Sequence, residues 1–303
     1  MKKIGFIGLG NMGLSMALHL CKAGYPLLVC SGNKENEKKI VEAGGKTADS
    51  YAELARLSDI VITIVPADAE VLDLYTSENG LIENMKDGAV CIDMTSARGI
   101  TKKLIASHAE KLQKHIGVID APVSGGVTGA QAGTLTVMAG CERELFDRYR
   151  EIFEPMSKKI IYTGELGTAS DIKMINQILY AVHTSIVSEA LCVADQLGVD
   201  KKILFDVVNE SSGSSFVTKN VVPVNMLTGD HTAGFRLELM KKDIGLFTET
   251  ARQNHAFSPI STLIDQIFTA ASNQGLGELN VTGVQKWFQA NQPYVKGDSK
   301  DMA

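Results

Sequence analysis

The chain contains no run of about 20 unbroken apolar residues, the length a helix needs to cross a bilayer, so no membrane span is expected. Neither sign of charge is in excess: 30 Lys and Arg stand against 35 Asp and Glu, a formal net charge of −5. With no basic run interleaved with aromatics, nucleic acid is not an expected partner. Cysteine is sparse, at Cys21, Cys30, Cys91, Cys141 and Cys192, an odd number with no C-x-x-C among them. Such usage suits buried thiols in a reducing compartment, with a cytoplasmic location expected, and speaks against a disulfide frame or a zinc site. The six histidines never fall at H-x-x-x-H spacing, so no metal is expected.

What remains is the composition of a soluble globular protein. Its 303 residues, 45% apolar and 21% charged, can fill one large domain or two ordinary ones.

The opening stretch, MKKIGFIGLGNMGLSMALHLCKAG, admits two readings. A secretory signal needs a continuous apolar segment; here Gly5, Gly8, Gly10 and Gly13 interrupt it. Ile4-Gly5-Phe6-Ile7 reads instead as a short buried strand, followed by Gly8-Leu9-Gly10-Asn11-Met12-Gly13 at G-x-G-x-x-G spacing. A helix with Met12, Met16, Leu20 and Ala23 on one side then stops at Gly24, and a second apolar run, Leu27–Cys30, arrives where a βαβ unit requires it. In this order the first glycine allows a tight turn, the second admits a pyrophosphate to the backbone, and the third lets helix pack on strand. The helix N-terminus presents N–H groups to the phosphates. The segment is therefore expected to bind a dinucleotide.

An acid about 20 residues past the glycines would bind the adenosine ribose hydroxyls. At the end of the second strand stand Cys30-Ser31-Gly32-Asn33-Lys34, with no acid before Glu35. Ser31, Asn33 and Lys34 could hold a 2′-phosphate, which leans toward NADP; as an ordinary polar turn the same residues leave NAD open.

Further strands are expected at 60–65, 90–94, 117–120, 135–139 and 160–162, alternating with helices. That alternation predicts a doubly wound parallel sheet of Rossmann type over residues 1–165. Val65-Pro66 and Ser96, at strand ends where ligands lie in such sheets, are candidate cofactor contacts, although a strand terminus alone would explain them equally. From about 166 strand signals vanish, predicting an all-helical domain over 166–303 that begins with a long central helix and ends in a frayed polar tail from Val295.

In that helix Thr168 stands three before Asp171, as in a capping box. The segment to Leu197 is apolar on most sides, so burial between layers is expected. Yet Lys173, Asn176, Gln177, Tyr180 and Thr184 form one polar stripe. The stripe is either a solvent-facing edge or the lining of a site. In a site, Lys173 would be the member of interest, because desolvation lowers a lysine's pKa and prepares it for proton transfer.

Taken together, these blocks resemble the β-hydroxyacid dehydrogenases, the family of 3-hydroxyisobutyrate dehydrogenase and tartronate semialdehyde reductase. The likeness rests on GFIGLGNMG at 5–13, DAPVSGGVTGAQAGTLTVMAG at 120–140, GTASDIKMINQ at 167–177 and KKDIGL at 241–246. It implies a pyrophosphate site at Gly8, Gly10, Asn11, Met12 and Gly13, with Val65, Pro66 and Ser96 bordering the nicotinamide ribose. Ser124, Gly125 and Gly126 would anchor the substrate carboxylate. Lys173 would be the general acid/base, positioned by Asn176 and Gln177. Lys242 and Asp243 would close over cofactor and substrate.

The implied reaction is a reversible hydride transfer between NAD(P) and a small β-hydroxy acid or semialdehyde, without a metal. Asn176-Gln177 and Gly234-Phe235-Arg236 lean toward the tartronate semialdehyde (2-hydroxy-3-oxopropionate) reductases. The alternatives are the 3-hydroxyisobutyrate or 4-hydroxybutyrate branch, or, in another class, a dinucleotide-binding module without catalysis. The family also implies a homodimer or homotetramer.

Overall fold

A computed structural model describes residues 1–232 and 234–292, so the tail from Val295 lies outside the described residues. The chain divides into two compact units, the first ending at Asn176 and the second starting at Gln177.

The first unit begins with β1 (Ile4–Ile7), α1 (Gly13–Lys22), β2 (Leu27–Cys30), α2 (Lys34–Glu42) and β3 (Lys46–Thr47). It continues through α3 (Tyr51–Leu57), β4 (Ile60–Thr63), α4 (Asp68–Thr76), α5 (Leu81–Asn84), β5 (Val90–Asp93) and α6 (Gly99–Lys111). Then follow β6 (Gly117–Asp120), β7 (Val123–Ser124), α7 (Gly126–Ala132), β8 (Leu135–Gly140), α8 (Arg143–Tyr149) and β9 (Ser157–Gly164). One nine-stranded sheet runs in the order β3-β2-β1-β4-β5-β6-β8-β7, with β9 also paired to β8.

Successive side chains on a strand face opposite sides of a sheet. Ile4, Phe6, Ile62, Ile92 and Ile119 accordingly enter one core with Met16 and Leu20 of α1. Their neighbours Ile7, Val61, Cys91 and Val118 enter a second core with Leu54, Val71, Tyr75 and Ile105 of the helices. Both faces are covered, which is why the strands read as unbroken apolar runs rather than alternating ones.

The doubly wound, parallel-dominated sheet expected from the sequence is present, with β8 reversed. From β3 to β6 every pairing is parallel. β8, however, runs antiparallel to β6 and to β7. Gly125 (φ 133°) and Gly126 (φ 62°) turn the chain sharply out of β7. The seven-residue α7 follows, and the chain re-enters the sheet reversed, with β8 antiparallel to β7.

α9 (Thr168–Gln196) runs across the division between the units. It is long and apolar enough to span a membrane by length and composition alone, but more than half of its most apolar window is buried in the protein. Two expectations about it are overturned. No capping box forms: Thr168 is already helical, and its hydroxyl donates to Glu165 O at 2.7 Å. The N–H of Ser170, one of the donors a helix start leaves without an intrahelical partner, goes instead to the Asp120 carboxylate.

Nor is the helix buried on most sides. Ile172, Ile175, Leu179, Ile186 and Val193 are 45–54% exposed, while Lys173, Gln177, Thr184 and Ser188 are buried. The exposed residues lie along one edge, and of the polar stripe Lys173, Gln177 and Thr184 turn inward, Tyr180 is half-buried and Asn176 stays exposed. Thr184 and Ser188 satisfy their hydroxyls on carbonyls four residues back, at 2.8 Å each.

In the second unit α10 (Lys201–Asn209), a π-helical segment (Val217–Met226), α11 (Leu237–Gln253), α12 (Pro259–Ala271) and α13 (Val284–Ala290) follow. Ile178 and Ala181 of α9 pack with Leu237, Met240 and Ile244 of α11 and Phe268 of α12. Val187 and Leu191 pack with Phe205, Val217 and Val221.

Candidate active site

The turn between β1 and α1 can be built only from glycine at two of its positions. A Cβ on Gly8 (φ 101°) would lie 2.0 Å from Ile64 O, and one on Gly13 would lie 1.8 Å from Gly8 O. A Cβ on Gly10 would meet nothing within 4 Å. The first and third glycines thus close the turn on β4 and on itself, while the second leaves its exposed backbone open to a ligand. α1 starts at Gly13, after Met12, with no side-chain cap; Leu14 N donates to Gly10 O at 3.0 Å, and no side chain competes with a phosphate for the helix start. These features fit a dinucleotide.

At the end of β2 the expected 2′-phosphate contacts are engaged locally. Asn33 caps α2, its Oδ1 accepting from Asn36 N at 3.1 Å, and Ser31 Oγ accepts from Asn33 N at 3.1 Å. Lys34 Nζ donates to Glu37 at 2.9 Å.

Two carboxylates that drew no attention in the sequence hold the ends of β4 and β5. Asp93 Oδ1 accepts from Thr63 Oγ1 at 2.6 Å and from Thr95 Oγ1 at 2.8 Å, and Thr95 Oγ1 accepts from Val65 N at 3.0 Å. Since Thr63 spends its proton on Asp93, the Tyr75 hydroxyl must donate to Thr63 at 2.9 Å. Lys102 of α6, fully buried, forms an ion pair with Asp93 Oδ2. Asp68 accepts from Arg98 N (2.8 Å), Nε (3.0 Å) and Nη2 (2.8 Å), and from Thr101 Oγ1 (2.7 Å). Burial pushes the Asp68 carboxyl up, but these donors outweigh it and hold it below the usual range. Val65-Pro66 and Ser96 are therefore carried on loops pinned from both sides, with Pro66 exposed and Ser96 half-buried.

Asp120 ends β6 and is fully buried. Its carboxylate accepts from Ser170 N at 2.7 Å and Ser170 Oγ at 2.6 Å. Burial pushes this carboxyl up, against the opposing pull of Lys102 and of Ser170. Close contact reinforces the link, since a Cβ on Gly99 would lie 2.5 Å from Gly167 O. Ser124 stands four residues after Asp120, and Lys173 three after Ser170, so both are carried from one buried junction. Ser124 is half-buried, Gly125 exposed and Gly126 half-buried, with open space where a Gly126 side chain would be. Lys173 is buried and Asn176 exposed.

In the second unit Gln177, Lys242 and Asp243 meet. Gln177 Nε2 donates to the buried Asp243 Oδ2 at 2.8 Å. Asp243 Oδ1 faces Lys242 Nζ at 3.0 Å, an ion pair without the alignment of a hydrogen bond. Among the described residues no cluster of three or more His, Cys, Asp or Glu is arranged to hold a metal ion.

Buried Lys102, Asp68 and Glu37 are the residues that reading the sequence missed. The one available signal was a strand-terminal Asp in CIDM with a lysine nine residues on.

Comparison with known proteins gives the same picture. Residues 3–164 match the NAD binding domain of 6-phosphogluconate dehydrogenase, and 167–288 match the NAD-binding domain of NADP-dependent 3-hydroxyisobutyrate dehydrogenase. A probable mitochondrial 3-hydroxyisobutyrate dehydrogenase of Dictyostelium discoideum is 33% identical over 296 residues, covering 96% of this chain and 92% of its own. An NAD-dependent L-serine dehydrogenase of Pseudomonas aeruginosa is 33% identical over 298 residues, with 96% and 99% covered. Among solved structures, Mycobacterium tuberculosis 3-hydroxyisobutyrate dehydrogenase with L-serine superposes with a TM-score of 0.88 at 28% identity, covering 95% and 99%. The chain belongs to the β-hydroxyacid dehydrogenase family, as a nicotinamide-dependent hydroxyacid dehydrogenase.

Proposed function

We propose that this chain reversibly reduces a small semialdehyde to its β-hydroxy acid, with 2-hydroxy-3-oxopropionate (tartronate semialdehyde) as the favoured substrate and Lys173 as general acid/base. The observation that carries the reading is the buried Lys173, one helical turn beyond the Ser170–Asp120 link that fastens α9 to the end of β6. The bound nicotinamide would supply the hydride for reduction and accept it for oxidation. Ser124 and the backbone N–H groups of Gly125 and Gly126 would hold the substrate carboxylate. Lys173 Nζ would give its proton to the alkoxide oxygen as the carbonyl carbon receives the hydride, and would take it back in oxidation. Its positive charge would also stabilise the developing oxyanion. Asn176 and Gln177 would orient the lysine and the substrate.

Asn176-Gln177 and Gly234-Phe235-Arg236 support the tartronate semialdehyde branch. A second reading, 3-hydroxyisobutyrate or L-serine, is favoured by what the relatives are named for; all of these substrates share a carboxylate and an oxidisable β-carbon. Initial rates with each, for wild type and Lys173→Ala, test the reading. Substrate-independent loss of turnover in the variant supports it, and an unchanged rate refutes it.

The exposed apolar edge of α9, Ile172, Ile175, Leu179, Ile186 and Val193, supports a homodimer or homotetramer in which a second copy covers it. Light scattering on Leu179→Glu tests this, a monomer being the expected outcome.

A further inference from the structure

The β2 terminus lacks the acid that a dinucleotide fold commonly places there, yet a buried carboxylate stands at that spot. Glu37, in the first turn of α2, has a side chain 6% exposed. Its Oε1 accepts from Ser31 N, the first residue past β2, at 2.7 Å. Its Oε2 accepts from Lys34 Nζ at 2.9 Å. Next to it, Asn36 Nδ2 donates to Leu9 O at 2.7 Å, fastening the same turn of α2 to the glycine turn. The ends of β1 and β2 are paired neighbours, Ile7 against Cys30. The carboxylate is thus fixed between the glycine turn and the β2 end, where the adenosine ribose of a bound dinucleotide belongs. The other nearby acid, Glu35, is 80% exposed and paired with Lys39.

We propose that Glu37, delivered from α2 rather than from β2, is the residue that selects the cofactor, accepting from the ribose 2′-hydroxyl of NAD and opposing the 2′-phosphate of NADP. The assignment rests on the dinucleotide site described above. A carboxylate can accept about four hydrogen bonds, and two are made within the chain. Oε2 is the oxygen on the side of the exposed Lys34, whose side chain is 78% exposed against 6% for Glu37, so the ribose would have to reach it alongside the lysine. A 2′-hydroxyl can donate to Oε2 while Lys34 stays in place. A phosphomonoester, carrying about −1.5 to −2 charge, cannot donate and would meet a buried anion. Lys34 could turn to the phosphate only by leaving Glu37 without its counter-charge. The lysine that seemed a phosphate ligand is therefore a partner of the acid that excludes phosphate.

The test is equilibrium binding of NADH and NADPH to the full-length protein, followed by titration calorimetry and independent of turnover. Wild type is expected to bind NADH at least about tenfold more tightly than NADPH, and Glu37→Gln to shift that ratio toward NADPH by about tenfold or more. Lys34→Ala, which strips the buried carboxylate of its counter-charge, should shift the ratio further toward NADH. A wild type that prefers NADPH, or a Glu37→Gln that weakens both equally, overturns the assignment. Wild type binding neither would overturn the dinucleotide site itself, and the assignment with it.

Discussion

Ser170, in the first turn of α9, gives both its backbone N–H and its hydroxyl to the fully buried carboxylate of Asp120 at the end of β6. One residue thereby ends a strand, caps a helix and sets where Lys173 stands relative to the sheet. Asp120→Ala leaves both donors buried without a partner, at about 1–3 kcal/mol each, and Asp120→Asn should recover part of the loss. Thermal unfolding of the two variants checks the order.

The same carboxylate has a pH signature. Burial raises its pKa in the folded state above the ordinary 3.8. A raised acid contributes stability that is fully present below the unfolded pKa and lost as pH rises through the folded one. Wild type should therefore lose stability relative to Asp120→Asn as pH climbs from about 3. Urea midpoints across that range measure it.

Asp68 should do the reverse. Its donors from Arg98 and Thr101 overcome the effect of burial and hold its pKa below 3.8. Its contribution is present above the unfolded value and is lost as pH falls through the folded one. The stability advantage of wild type over Asp68→Asn should be full at neutral pH and vanish in acid, again by urea midpoints.

Lys102 and Asp93 form a buried pair on which the hydrogen bonds to Thr63, Thr95 and, through Thr95, Val65 depend. Removing the lysine alone strands a buried charge, so Lys102→Ala should cost about 3–5 kcal/mol. The double variant Lys102→Met with Asp93→Asn should cost clearly less than the two single changes added together. A thermal-unfolding cycle shows the coupling.

Burial pushes the Cys91 and Cys141 thiols up to about 12. As the thiolate is the reactive form, alkylation at pH about 8 should spare both in the native protein. Half-buried Cys21 and Cys30 should label first, with Cys91 and Cys141 appearing only after denaturation, as read by mass spectrometry.

Much of this was legible in the sequence. The glycine turn announces itself because its spacing, the strand before it and the helix after it are all local. Apolar runs such as Ile60–Val65 mark strands because both sheet faces are covered. The direction of β8 was not legible, since an apolar run reads the same forwards and backwards and the reversal is set by the backbone at Gly125 and Gly126. On α9 the periodicity separated an apolar edge from a polar stripe, but only tertiary packing decides which one turns inward. Buried Lys102, Asp68 and Glu37 read as ordinary solvated charges, because partners such as Asp93 and Arg98 meet them only once the sheet is assembled. Glu37 shows this best: three residues past the acid-free turn that ends at Lys34, it lends that turn its carboxylate by folding back.

The central claim is hydride transfer with Lys173 as the acid/base, and the most direct measurement is the turnover of NADH and NADPH with 2-hydroxy-3-oxopropionate by wild type and Lys173→Ala. The account predicts turnover by wild type and a loss of about 10²–10⁴-fold in the variant, with dinucleotide affinity held within about threefold. A Lys173→Ala enzyme as fast as wild type would contradict it.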